Sequence, residues 1–192
     1  MNGNLAEKRE ELYTYDDYLS WNDGQRWEII DGRAYLMAAP SIQHQRISGI
    51  LHSRMFPYFE GKTCELFAAP FDVCLFPEYK RKKEEEGMVQ PDLSVVCDPR
   101  QLDGQCCNGA PTLIVEILSP ATSSYDCVTK FNKYKKSGVK EYWIVDPENK
   151  IVHVCMLQNP DDDPVVFEIG DTLSSPTFPG LEIPLAGIFP NE

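Results

Sequence analysis

The sequence predicts an α/β fold, a mixed β-sheet flanked by helices and extended by β-hairpins, and three observations carry that prediction. Apolar, β-prone runs at Thr112–Leu118 and Glu141–Asp146 flank a helical segment, the pattern of a βαβ-like crossover. Asp31-Gly32 separates Trp27–Ile30 from Arg33–Met37, and Asp-Gly between two such runs is the dipeptide of a two-residue hairpin. Behind Ser41, Ile47, Ile50, Leu51, Met55 and Tyr58 or Phe59 recur at helical spacing until Gly61.

Taken in order, residues 1–13 form a charged lead-in, and Thr14 with Asp17 caps a short helix that runs through Trp21. The Asp-Gly hairpin and the long helix follow. Strands are expected at Cys64–Ala69 and Phe71–Phe76, then a charged, solvated loop from Tyr79 to Gly87. The run Val89–Val96 precedes an irregular loop rich in Asp, Gly, Cys and Asn, and Thr112–Leu118 comes after it. A second helix spans Ser123 to Ser137 and ends at Gly138. Glu141–Asp146 and Ile151–Met156 form another hairpin across Pro147 to Lys150, and the remainder is short strands with Pro and Gly turns. With no repeat and no linker, residues 1–192 are expected to be one domain.

Composition narrows the classes. No apolar stretch approaches a membrane span and the start lacks the apolar run of a signal peptide, so the expected compartment is the cytoplasm. Seven cysteines, an odd number without any C-x-x-C pair, argue against a zinc cluster or a disulfide framework. The net charge of −12 opposes tight non-specific nucleic-acid binding, which depends on neutralising phosphates. Lysine and arginine nevertheless cluster at Lys80 to Lys83 and from Lys130 to Lys140, so a basic face on an acidic protein is open.

Two residues break their own pattern. Every neighbour of Glu116 in Thr112–Leu118 is apolar, and Asp92 interrupts Val89–Val96 directly after Pro91. A carboxylate in such a strand is costly unless it is paired, hydrogen-bonded or bound to metal. Either acid alone is equally well explained by backbone donors or an arginine. Together they offer hard oxygen ligands for Mg²⁺ or Mn²⁺, cations that take few protein carboxylates and complete their shell with water and phosphate oxygens. No two histidines have ligand spacing, which disfavours zinc.

The second helix supplies an amine. Cys127, Phe131 and Tyr134 define its apolar stripe; Lys130 falls beside it, and Lys135 at the other edge is the rival. Lys130 lies roughly 9 Å along the helix, and Glu116 lies roughly 10 Å back from the end of its strand. Antiparallel packing across Ser119-Pro120-Ala121-Thr122 brings the two level. The alternative is a lysine that covers the core edge or pairs with Asp126.

Several ordered motifs resemble one family. They are Trp27-Glu28-Ile29-Ile30-Asp31-Gly32, Gln90-Pro91-Asp92-Leu93-Ser94, Val115-Glu116-Ile117-Leu118-Ser119-Pro120-Ala121-Thr122, the series Asp126, Lys130, Tyr134, Gly138-Val139, and Glu141-Tyr142-Trp143-Ile144-Val145-Asp146-Pro147. Their succession over residues 13–189 is similar to the Uma-type restriction endonucleases, a bacterial family of the PD-(D/E)XK nuclease superfamily. The resemblance implies a restriction-endonuclease-like core with Asp92 as the motif aspartate and Glu116 as the second acid. The position two after Glu116, a lysine in the superfamily pattern, is Leu118. Some members carry that lysine on the following helix, which here implies Lys130. Glu28 matches the family's early acid, with an exposed strand residue as the alternative, and His44 on the long helix also matches.

The expected function is Mg²⁺- or Mn²⁺-dependent hydrolysis of nucleic-acid phosphodiester bonds, DNA foremost, by a homodimer. Asp92, Glu116 and a backbone carbonyl near Ile117 hold the metal, and Lys130 orients the attacking water. Three readings compete: a nuclease whose partner protein recognises the DNA, a non-catalytic binding or assembly module on a nuclease-like scaffold, and a different metal-dependent phosphohydrolase.

Overall fold

A computed structural model describes residues 11–76, 87–102, 104–119, 126–159 and 163–189. The expected short helix is α1, Tyr15–Leu19, whose Thr14 cap and Asp17 form a reciprocal capping box. The hairpin follows as β1, Trp27–Ile30, and β2, Arg33–Leu36. Asp31 and Gly32 both take positive φ, 51° and 74°, which a tight turn matched to the right-handed strand twist requires.

Helix α2 spans Ile42–Phe59 behind an Ser41 cap and buries Ile47, Leu51, Met55 and Phe59, one stripe at four-residue spacing. It is followed by β3, Glu65–Ala68, and the two-residue β4, Val73–Cys74. The run Val89–Val96, expected as one apolar strand, is divided: β5 is Gly87–Val89 and β6 is Leu93–Val96, and they belong to different sheets. Pro91 accounts for the break, since it has no N–H to continue a ladder.

After β7, Cys107–Asn108, the chain enters β8, Leu113–Ile117. A single π-helical turn over Asp126–Lys130 leads into α3, Phe131–Ser137, which closes on Gly138 at φ 98°. The strands β9, Glu141–Asp146, and β10, Ile151–Met156, form the expected hairpin, with β11, Val165–Glu168, beyond it. A small hairpin of β12, Thr172–Ser174, and β13, Glu182–Pro184, ends the described chain.

The six-stranded sheet has the order β11-β10-β9-β8-β6-β3. Its β8–β9 pair is parallel, as the crossover pattern predicts, and the others are antiparallel. A second sheet has the order β2-β1-β5-β4-β7. Alternation along β8 sends Leu113, Val115 and Ile117 into a core shared with α2 and the C-terminal hairpin. Ile114 packs instead with Tyr134 and Val139 of the α3 region and with the second sheet. Glu116 therefore shares the α3 face with Ile114.

The expectation for the cysteines is corrected. Cys64 and Cys97 are joined by a disulfide. They sit one step beyond the Glu65↔Val96 partners of β3 and β6, so strand pairing brings together thiols 33 residues apart that no local motif announces. Cys106 and Cys107 are buried, and the Cys106 Sγ lies 3.6 Å from that of Cys74.

Candidate active site

Five side chains singled out in the sequence line one cleft of about 570 Å³: Glu28, His44, Asp92, Glu116 and Lys130. Each is delivered by a different element. Asp92 stands where the chain crosses between sheets, just ahead of β6, and the β6–β8 ladder stops at Leu93↔Val115. The next amide of β8 along that edge, Ile117 N–H, donates to Asp92 Oδ2 at 2.8 Å, so the side chain takes over where the ladder ends. His44 lies in the first turn of α2, where its own amide donates to the Ser41 cap at 3.1 Å. Its Nε2 is 3.1 Å from Asp92 Oδ2.

The floor of the cleft is an ammonium between two acids. Lys130 Nζ donates to Glu28 Oε1 and to Glu116 Oε1, both at 2.9 Å. Side-chain exposure is 4% for Lys130, 5% for Glu28 and 6% for Glu116, against 16% for Asp92 and 12% for His44. The Lys130 cluster is thus the dry end and the Asp92–His44 pair the more open one. Glu28 is not the exposed strand residue of the alternative reading. The rival Lys135 is exposed, and neither it nor Lys136 lines the cleft.

Two residues of the site were not singled out in the sequence. Tyr134, one helical turn beyond Lys130, donates its phenol to Glu116 Oε1 at 2.6 Å. Burial above all, and then the Glu116 charge, pushes that phenol well above its ordinary range, so it stays a neutral donor. The four-residue interval from Lys130 to Tyr134 was visible; a buried phenol on a lysine's helix face needs an acceptor. Gln90 donates its backbone N–H to Glu28 Oε1 at 3.0 Å and fixes that acid from the sheet-crossing segment. Its signal was its place directly before Pro91-Asp92.

The donor set fits a hard divalent cation. Three carboxylates line the cleft with two fixed cations, Lys130 and Arg26, so negative charge is in excess. Among the described residues no hydrogen bond engages Asp92 Oδ1. Asp92 and Glu116 together offer few protein oxygens, as Mg²⁺ and Mn²⁺ prefer. Among the described residues no three His, Cys, Asp or Glu side chains gather as a full ligand shell. Any such ion takes the rest of its shell from backbone, water or substrate.

Fold and sequence comparisons agree on the class. The chain has a nuclease-like α/β fold: it superposes on the crystal structure of a protein described as a putative nuclease of the DUF820 family from Anabaena variabilis, with a TM-score of 0.72 and 21% identity over 92% of this chain and 97% of that one. The particular family follows from the sequence. Residues 14–186 match the model of the Uma2 family, described as "Putative restriction endonuclease", and the chain belongs to that family. It is also 28% identical over 150 residues to an uncharacterized protein of Synechocystis, spanning 77% of this chain and 75% of the relative. No helix among the described residues is long and apolar enough to cross a membrane.

Proposed function

We propose that the protein is a metal-dependent endonuclease whose active site is the cleft of Asp92, Glu116 and Lys130, with Glu28 and His44 in supporting roles. The observation that carries this reading is the Lys130 ammonium, buried and shared between Glu116 and Glu28 at 2.9 Å beside Asp92 in one cleft. Asp92 and Glu116 are the residues that would hold Mg²⁺ or Mn²⁺. Such an ion supplies positive charge at a phosphodiester and makes water more acidic.

The chain's own groups do the rest. Glu28 and Glu116 fix the Lys130 ammonium from two sides, so it points a preorganised positive charge at the cleft without reorganisation. Tyr134 holds Glu116 from the side opposite solvent and limits its rotation. His44 Nε2, 3.1 Å from Asp92 Oδ2, and the Ile117 amide together hold that oxygen of the carboxylate.

Replacing Glu116 with Gln tests the assignment. Wild-type protein is expected to cut plasmid DNA, single-stranded DNA or RNA in Mg²⁺ or Mn²⁺, and Glu116→Gln to lose that cleavage with its circular dichroism unchanged. Retained cleavage by the variant refutes the site.

One observation favours a nuclease that works with a DNA-recognising partner. The only lysine and arginine among the described residues lining the cleft are Lys130 and Arg26, on a protein of net charge −12. Of the other helix lysines, Lys133 pairs with Asp31 away from the cleft, and Lys80 to Lys83 lie outside the described residues. Adding cell extract to an inactive wild-type protein, with Glu116→Gln as control, separates this reading from a non-catalytic module.

A further inference from the structure

Arg26 is the cleft's second fixed cation, and its surroundings are organised. It precedes β1 by one residue and stands two before Glu28, so both side chains leave the strand on one face. Its Nε donates to Gln90 Oε1 at 2.8 Å. The Gln90 amide nitrogen in turn faces Asp72 Oδ1 at 2.7 Å and the Tyr18 hydroxyl at 3.3 Å. Asp72 Oδ2 accepts from the Tyr15 hydroxyl at 3.1 Å.

This chain of contacts sets the amide's orientation without ambiguity. Turned over, Gln90 would present its NH₂ to a guanidinium and its carbonyl to a carboxylate, two repulsive contacts in place of two attractive ones. Asp72 therefore balances the charge of Arg26 from one amide away and does not occupy the guanidinium's fork. Among the described residues no acceptor engages the two terminal nitrogens of Arg26. Two other arginines differ: Arg100 spends its guanidinium on Asp98, and Arg54 spends its own on the carbonyls of Pro184 and Ala186.

Gln90 also ties this arginine to the catalytic floor. Its backbone N–H holds Glu28, which holds Lys130, while its side chain holds Arg26. One residue thereby sets the spacing between the two cations of the cleft.

We infer that Arg26 is a phosphate-binding subsite, a planar fork held by Gln90 that grips a backbone phosphate of a nucleic-acid strand next to the one lying over Asp92 and Glu116. The inference rests on the hydrolytic reading of the cleft for the neighbouring phosphate, but the grip itself is a binding property. A guanidinium anchored through Nε alone presents its Nη pair to two phosphate oxygens, the bidentate geometry that a lysine lacks. Gln90 is the positioning residue.

Fluorescence anisotropy of the full chain with a fluorescein-labelled 16-nucleotide single strand and its duplex, in EDTA over a range of salt, tests the subsite. Arg26→Met is expected to weaken binding about tenfold and to lower the salt slope by about one ion. Arg26→Lys recovers the salt slope but only part of the affinity. Gln90→Leu, which keeps its backbone donor to Glu28, weakens binding less than Arg26→Met. Melting curves establish that each variant is folded.

Binding by Arg26→Met equal to wild type overturns the inference, as does failure of the wild type to bind either oligonucleotide. Titration with inorganic phosphate, followed by the ¹⁵N–¹H signal of the Arg26 Nε, distinguishes the source of the ligand. A response to free phosphate with no oligonucleotide binding overturns the strand assignment. Cleavage assays separate the two readings. Wild type that binds through Arg26 yet cuts nothing removes the hydrolytic reading and leaves the subsite. Cleavage with a KM unchanged in Arg26→Met does the reverse.

Discussion

Glu116 and Glu141 are buried carboxylates on neighbouring parallel strands, β8 and β9, and they leave the sheet on opposite faces. Glu116 turns toward α3 and meets a lysine ammonium and a phenol at the floor of a cleft. Glu141 turns toward the C-terminal segment and meets neutral donors only: Trp143 Nε1 at 2.6 Å on one oxygen, Ser175 Oγ at 2.8 Å and the Thr177 amide at 3.0 Å on the other. It has no solvent exposure and does not line the cleft. Burial of an acid thus marks no site by itself. What separates the two is whether the carboxylate is held by a charge at the edge of open space or consumed by the fold.

The sharpest way to break this comparison is to neutralise each acid in turn. Glu116→Gln is expected to lower Mg²⁺- or Mn²⁺-dependent cleavage by about 10³-fold, the scale of losing a preorganised charge at the reacting centre. Initial rates on plasmid DNA check it, and a loss below about tenfold would put Glu116 in the same class as Glu141.

Removing the charge between the two acids at the floor comes next. Lys130→Met leaves Glu28 and Glu116 buried without their cation and should cost about 3–5 kcal/mol of stability. In a Glu28→Gln, Glu116→Gln background the same substitution should cost far less, because no uncompensated charge remains. Urea unfolding of the four proteins measures both.

Glu141→Ala strands Trp143 Nε1, Ser175 and the Thr177 amide and should cost about 3 kcal/mol. Cleavage per folded molecule should not change. A variant that stays stable but loses cleavage would reverse the roles assigned to the two acids.

The smallest effect is expected at Tyr134→Phe, about 1.5 kcal/mol for one hydrogen bond to a charged acceptor. Its pH dependence is informative. Because burial and then Glu116 raise the folded phenol above its unfolded value, the folded chain keeps a proton that the unfolded chain releases. That contribution is fully present below about pH 10 and is lost as pH rises. Tyr134→Phe should therefore lose less stability than wild type as pH rises above roughly 10. Tyr15 and Tyr18 are also raised, by burial and then by Asp72, and keep part of the decline in both proteins.

Much of the site was legible because its acids sit at odds with their neighbours. Asp92 and Glu116 interrupt apolar runs, and a 100° helical wheel set Lys130 beside the helix's apolar stripe, with Lys135 as its rival. Glu141 shows the limit of that signal. It begins its strand beside Lys140, a position that reads as exposed, and only the later Ser175 and Thr177 make it interior. Gln90 gave less still, since a glutamine at a strand end is ordinary until Arg26, Asp72 and Glu28 converge on it. The Cys64–Cys97 disulfide was misjudged for the same reason: cysteine spacing carries no information about strand register.

By itself the sequence determined the periodicities: the Asp-Gly hairpin, the four-residue stripe of α2 and the parallel β8–β9 crossover. These follow from local sterics and from side-chain alternation, which act over a few residues. The tertiary structure alone decided that Val89–Val96 is two strands in two sheets, that His44 meets Asp92, and that Glu28 reaches Lys130 across 102 positions. Partners so distant are chosen by packing of whole elements against one another, after each has formed, and no local pattern encodes that choice.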